Sequence, residues 1–139
     1  MSDTLLKVEI VTPRATAYSA VAQAITLPGT LGPFQVLINH APIISSLEMG
    51  LIKIIDEEGR DVYFAANGGF AEVRSNVVSI VVESAEAGTD IDPDAALAEL
   101  TRLEEHIAAK ASAHSSDAEK RQLNLARTRV AAAQAMRAA

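Results

Sequence analysis

The 139-residue sequence contains no cysteine and no tryptophan. Without thiols there are no disulfides and no thiolate metal sites, and a reducing compartment is the plain expectation. Aromatic residues make up only 4 %, so any core has to be aliphatic. No uninterrupted apolar run reaches the ~18 residues of a membrane-spanning helix. The start, MSDTLLKVEI, lacks the basic region and apolar run of a secretory signal. Positive charge is in the minority, 12 Lys and Arg against 18 Asp and Glu for a net −6, which argues against a nucleic-acid footprint. What is present, 49 % apolar and 22 % charged residues, is a globular composition. A chain of this size forms one ordinary domain or two small ones and buries roughly two-thirds of its surface on folding.

The hydrophobic period changes partway along the chain. Up to Ala87 the apolar residues alternate or run in short β-branched blocks, which predicts strands over 5–12, 22–27, 34–38, 50–55, 61–66, 70–74 and 77–83. Turns are expected at Asp56–Arg60, at Asn67-Gly68-Gly69 and at Ser75-Asn76. Short strands at this spacing point to an antiparallel β-sandwich or flattened barrel over 1–87. After that the period is helical. Asp92 can cap a helix with Pro93 at its first position, and Ala96, Leu100, Leu103, Ile107 and Ala111 share one face. Ser116 and Glu119 form a capping-box pattern that opens a second helix with Leu123, Ala126, Val130 and Ala133 on one face. The expected fold is α+β in two domains, the sandwich followed by an antiparallel two-helix hairpin over 88–139.

Two helices of this length cannot hide an apolar stripe without a third surface. Their inner positions are rich in alanine, which buries far less than the ~1.5–3 kcal/mol available from a leucine. The hairpin is therefore expected to be held only weakly. Charge divides unevenly between its helices. Residues 91–110 carry two basic and five acidic side chains, whereas 115–139 carry Lys120, Arg121, Arg127, Arg129 and Arg137 against two acidic ones. The second helix can meet the first or an acidic partner; a solvated face is the plainer alternative.

No motif assembles an active site. Nucleophilic catalysis needs a nucleophile beside an oriented base. The one combination of that kind in the turn-rich stretch 27–54 is His40 with Ser45 or Ser46, and no GxSxG elbow accompanies it. His106 and His114 lack paired metal-ligand spacing. The glycines of GTLG are followed by a strand and by no Lys-Ser/Thr, unlike a phosphate loop. The chain is expected to be neither an enzyme by itself nor a metal protein. A free-standing adaptor, or a small hydrolase built on His40, are the other readings these residues leave open.

The stretches LPGTLGPFQVLINHAPIISSLEMGLIKI, ANGGFAEVRSNVVSIVVESA and IDPDAALAELTRLEEHI, in this order, resemble the epsilon subunit of the bacterial F-type ATP synthase, whose counterparts are the plastid epsilon and mitochondrial delta subunits. The most specific piece is NHAP, Asn39 to Pro42, followed by an apolar run and Met49-Gly50; the second is Gly68-Gly69 ahead of Glu72-Val73. The resemblance spans nearly the whole chain. It implies a non-catalytic rotor part at the cytoplasmic side of the bacterial inner membrane, peripheral and without insertion, with the gamma subunit, the c-subunit ring and the alpha/beta catalytic head of a proton-translocating enzyme as partners. The hairpin is then a brake on ATP hydrolysis that lies folded on the sandwich or extends along gamma.

The resemblance also assigns residues. Gly29, Gly32, Pro33, Phe34 and His40 fall where the family contacts the ring and gamma, although Pro33 and Gln35 depart from the family's acidic, glycine-containing loop. Lys120, Arg121, Arg127 and Arg129 fall where the extended hairpin meets the beta subunit. Some members bind ATP through an I/L-D-x-x-R-A motif. Here Ile91, Asp92 and Ala96 match, Arg102 and Arg129 could supply further arginines, but Ala95 replaces the motif arginine. Losing one charge-assisted contact costs about 1.5–3 kcal/mol, roughly 10- to 150-fold in affinity. No cofactor is expected, and ATP binding is expected to be weak or absent.

Overall fold

A computed structural model describes residues 5–110 and 116–138. The expectations for Ala111 and His114, and for a break between the helices, fall outside the described residues. The described elements are β1 (Leu6–Val11), β2 (Thr16–Leu27), β3 (Phe34–Val36), β4 (Ile43–Leu47), β5 (Gly50–Asp56), β6 (Asp61–Arg74) and β7 (Val77–Ala87). A 3-10 turn (Gly88–Asp90), α1 (Pro93–Ala108) and α2 (Asp117–Ala138) follow.

The strands close on themselves in the order β1, β7, β6, β5, β2 and back to β1, with β3 added to β2 and β4 to β6. This is the flattened barrel of the sandwich. Closure removes most of the unpaired strand edges that would otherwise invite association. The pairings are antiparallel except for β1 with β7, which run parallel. Alternation places Leu6, Val8 and Ile10 of β1, Ile52 and Ile54 of β5, and Val78, Ile80 and Val82 of β7 in one aliphatic core. The two aromatic rings that meet there, Tyr18 and Phe64, pack edge to face with centroids 5.6 Å apart.

Three sequence expectations change. Asn67-Gly68-Gly69 is not a turn but lies inside β6, a single strand of 14 residues. That strand pairs with β5 through residues 61–66 and with β4 through residues 69–73, so the glycines sit where it passes from one layer to the other. A Cβ on Gly69 would fall onto the carbonyl oxygen of Val81, which is why the crossing needs a residue without a side chain. Second, β2 begins at Thr16; its first half, Thr-Ala-Tyr-Ser-Ala-Val, pairs with β1 but is largely exposed, so it shows no clean apolar alternation. Third, β4 lies at residues where Ile-Ile-Ser-Ser breaks the period of two.

The turns behave as their residues require. Asp56 Oδ1 accepts the backbone N–H groups of Glu58 and Arg60, both at 2.9 Å, and closes the β5–β6 hairpin. Ser75 and Asn76 adopt φ of 52° and 64° in the two-residue turn between β6 and β7, both in the left-handed region that such a tight hairpin uses.

The helices form a second, smaller core. Asp92 Oδ1 accepts from the N–H groups of Asp94 and Ala95, with Pro93 opening α1. At the start of α2 the capping box closes in both directions: Glu119 N–H donates to Ser116 Oγ at 3.1 Å, and Ser116 N–H to Glu119 Oε1 at 3.0 Å. Helix α2 lies on β5 and β6 while α1 packs on α2. Ala65, Ile91, Ala96, Val130, Ala132 and Ala133 are buried between them, separate from the aliphatic core of the barrel. The hairpin thus obtains its third surface from the outside of the sandwich, through mostly small residues.

Candidate functional site

The loop after β2 folds back onto β4. Gly29 bridges Leu47, Thr30 N–H donates to Ser46 O at 3.1 Å, and the Thr30 and Ser46 hydroxyls lie 2.7 Å apart. Gly32 N–H donates to Gly29 O and closes a tight turn in which Gly32 has φ of 128°. Pinned at its base, the loop carries Leu31 at its tip fully in solvent, and Ile44 on the neighbouring strand is 74 % exposed. Between them runs a groove of about 460 Å³ lined by residues 29–34 and 43–46. Exposed apolar groups held on a rigid backbone suit a protein–protein contact. Of the ring-contact residues assigned by resemblance, Gly29, Gly32, Pro33 and Phe34 come together here.

His40 does not line that groove. Its Nδ1–H donates to Ala41 O at 2.7 Å, and its N–H donates to Leu37 O at 3.1 Å. The NHAP turn is tied instead to the β6–β7 turn. Asn39, at φ of 65°, donates its N–H to Asn76 Oδ1 at 2.6 Å, and Asn76 Nδ2 donates back to Asn39 Oδ1 at 3.4 Å. Neither nearby serine touches the imidazole: Ser45 Oγ donates to Ser46 O at 3.0 Å, and Ser46 Oγ is engaged by Thr30. At this turn no serine stands beside the imidazole of His40. Among the described residues no cluster of His, Asp and Glu could hold a metal ion.

Sequence reasoning missed Leu31, Ile43 and Ile44. Their signal was available in two consecutive isoleucines directly after NHAP, a run that a one-sided buried strand does not need.

The four α2 residues assigned by resemblance to the beta subunit, Lys120, Arg121, Arg127 and Arg129, do not share one face. Lys120 and Arg121 make no ion pair among the described residues; with Arg127 they line an open cleft of about 610 Å³ against Glu48, Met49 and Asn67 of the sandwich. Arg127 reaches Glu104 of α1 at 3.7 Å. Arg129 turns to the sandwich, where its Nε donates to Glu86 Oε1 at 2.7 Å and its Nη2 to Oε2 at 3.2 Å. That fork geometry raises the arginine's pKa further above its already high value.

The positions matching the nucleotide motif are otherwise committed. Ile91 is buried in the hairpin core, and the Asp92 carboxylate caps α1. Arg102 donates through Nη2 to Glu99 Oε1 at 2.6 Å and through Nε to Oε2 at 3.1 Å, which holds the Glu99 carboxyl below its ordinary value. Arg102 and Arg129 do line one small cavity of about 230 Å³, together with Leu103, Gln122 and Leu125, but each already faces a carboxylate.

Known proteins fit this arrangement. A family described as ATP synthase, Delta/Epsilon chain, beta-sandwich domain matches residues 5–88. The ATP synthase epsilon chain of Pelotomaculum thermopropionicum is 41 % identical over 110 residues, covering 79 % of this chain and 81 % of that one. The epsilon chain of Desulfatibacillum aliphaticivorans is 38 % identical over 76 % of this chain and 74 % of its own length. That of a Synechococcus species is 35 % identical over 83 % of each chain. Among solved structures, a chain of the Euglena gracilis mitochondrial ATP synthase OSCP/F1/c-ring assembly shares the fold at a TM-score of 0.73 and 22 % identity, covering 95 % of this chain and 81 % of that one. A chain of the Tetrahymena thermophila mitochondrial ATP synthase central stalk and c-ring superposes at a TM-score of 0.55 and 17 % identity, covering 94 % of this chain and 96 % of that one. With a sandwich matched from end to end and bacterial relatives above one-third identity over most of the length, the chain belongs to the ATP synthase epsilon family.

Proposed function

We propose that this chain is a central-stalk subunit of a proton-translocating F-type ATP synthase, which couples rotation of the c ring to ATP synthesis and brakes ATP hydrolysis through its C-terminal hairpin. The domains that divide this work are 1–87 and 88–139. The observation that carries the reading is the mode of attachment of the hairpin: a barrel whose aliphatic core is complete without it, and a small-residue core that fastens it outside. A unit so attached has the small energy gap that a two-state element needs.

The gamma subunit and the c ring are the proposed partners of the sandwich. The groove between Gly29–Phe34 and Ile43–Ser46 is the proposed ring-facing contact, apolar at Leu31 and Ile44, with His40 on the adjoining turn. Helix α2 is the part that meets the catalytic head, through Lys120, Arg121, Arg127 and Arg129. Three of these are already exposed on the folded hairpin, and Arg129 becomes available once it leaves Glu86. The chain works on the cytoplasmic side of the bacterial membrane, bound through other subunits; no described helix is long and apolar enough to cross a membrane. ATP is not a strong ligand, because Ala95 leaves the motif short of one cation while Arg102 and Arg129 are each engaged by a glutamate.

The test is hydrolysis by the catalytic head complex from the same source, with the full chain and with a truncation ending at Ala87. Inhibition by the full chain alone supports the brake. Equal inhibition by both, or by neither, rejects it.

A further inference from the structure

Beside the buried Ile91, Ala96 and Val130, the hairpin meets the sandwich along one edge of α2, at Arg129, Ala132, Ala133, Met136 and Arg137, the spacing of a single helical face. Arg129 grips Glu86 with both arms of its guanidinium. Arg137 Nη1 donates to the carbonyl oxygen of Gly88 at 3.1 Å, and Tyr63 N–H donates to Met136 Sδ at 3.3 Å. Gly88 lies in the middle of this set, buried directly beneath the helix.

Gly88 does not have the backbone conformation that usually calls for glycine; the glycines with positive φ are Gly32 and Gly59. Its requirement comes from α2. A Cβ at residue 88 would stand 2.5 Å from Ala132 O and 2.6 Å from Met136 Cγ, and Ala132 O belongs to the helix backbone, which cannot step aside as a side chain can. The three atoms nearest to that added carbon, its chain neighbours aside, are all on α2. Residue 88 also follows the last residue of β7 and takes no part in the barrel core.

We propose that Gly88, with the Glu86–Arg129 ion pair beside it, is a latch that sets how readily the hairpin leaves the sandwich. A single methyl group at residue 88 lifts α2 without touching the barrel, and neutralising Glu86 loosens the same joint by a different route. The consequence for activity rests on the reading above, in which the released hairpin is the inhibitory state. A glycine kept to admit a helix, next to a lone interdomain ion pair among the described residues, is a release point.

The experiment is amide hydrogen exchange on the full chain, comparing wild type with Gly88→Ala and Glu86→Gln, alongside titration of each into the hydrolysis reaction of the catalytic head. Overpacking of this kind accelerates exchange in α2 about tenfold in Gly88→Ala. Glu86→Gln has a smaller effect, while peptides of β1 and β2, which α2 does not cover, exchange as in wild type. Both variants then inhibit at lower concentration than wild type. The latch is overturned if α2 keeps its wild-type protection in Gly88→Ala, or if the barrel and α2 lose protection together. Faster exchange in α2 with unchanged inhibition overturns its regulatory role. If wild type and the truncation at Ala87 inhibit alike, the braking reading is the one that fails, and the exchange data still decide whether the latch exists.

Discussion

Lys110 Nζ lies 2.6 Å from Glu119 Oε2 and so joins the residues just beyond the end of α1 to the first turn of α2. The same carboxylate accepts the Ser116 backbone N–H and has His106 Nε2 at 3.6 Å. One side chain therefore caps its own helix and ties it to the preceding one. The Lys110 contact, followed by the Ser116 N–H, lowers the Glu119 pKa from 4.5 to about 2. A carboxyl whose pKa falls on folding contributes stability above its unfolded value and loses it as pH drops through the folded one. The end of the hairpin is therefore predicted to loosen between pH about 4.5 and about 2. Hydrogen exchange at the start of α2 reads this directly. Glu119→Gln should flatten the pH dependence in that window, and a variant that follows the wild-type curve would remove Glu119 as its cause.

Gly69 should tolerate no side chain. A methyl group there collides with the β7 backbone at Val81, at the point where β6 changes partner, so neither strand can move without losing pairs on both sides. Gly69→Ala is predicted to destabilise the chain by about 3 kcal/mol or more, as overpacking against a fixed backbone does. Gly68→Ala, whose added atom would stop 3.2 Å from Leu47 O, should cost clearly less. Urea unfolding of both variants provides the comparison; equal midpoints would show that the crossing is not as tight as the geometry says.

The same glycines show where the sequence was legible and where it was not. Strands with one buried face, such as β1 with Leu6, Val8 and Ile10 inward, announce themselves by alternation. So do the caps of α1 and α2, because Asp92, Pro93, Ser116 and Glu119 act within a few residues of themselves. The pair of glycines in β6 looks like a turn because local chemistry cannot distinguish a reversal from a close crossing; Val81, which decides the matter, is a long-range neighbour. Strand β4 was hidden for a related reason. Its Ile43 and Ile44 are both exposed, so the pattern records a surface rather than a core. The engagement of Arg129 by Glu86 was equally invisible, being a contact between residues 43 apart in sequence.

Leu31 and Ile44 should matter to assembly and not to folding. Both side chains lie in solvent, and the loop beneath them is held by backbone bonds that do not involve them. Leu31→Asp and Ile44→Asp are predicted to change unfolding free energy by no more than about 0.5 kcal/mol. Buried in an interface, the same charges would cost several kcal/mol, so each variant should be recovered poorly with the membrane complex. Undiminished co-purification of the double variant would move the ring contact elsewhere on the sandwich.

Restoring the motif arginine should not by itself create a strong nucleotide site. Ala95 is exposed on the first turn of α1, so Ala95→Arg adds a cation without disturbing the helix core. The gain from one charge-assisted contact is about 1.5–3 kcal/mol, or roughly 10- to 150-fold. Arg102 and Arg129 are still held by Glu99 and Glu86, and an entering phosphate has to compete with both carboxylates and meets their negative charge. Freeing Arg129 through Glu86→Gln should therefore raise the affinity of Ala95→Arg further, by more than the two substitutions do separately. Calorimetric titration of the isolated chain with ATP gives the order: undetectable in wild type, weak in Ala95→Arg, strongest in the double variant. Micromolar binding by the wild-type chain would refute the assignment, because it would mean that the arginines release their glutamates without help.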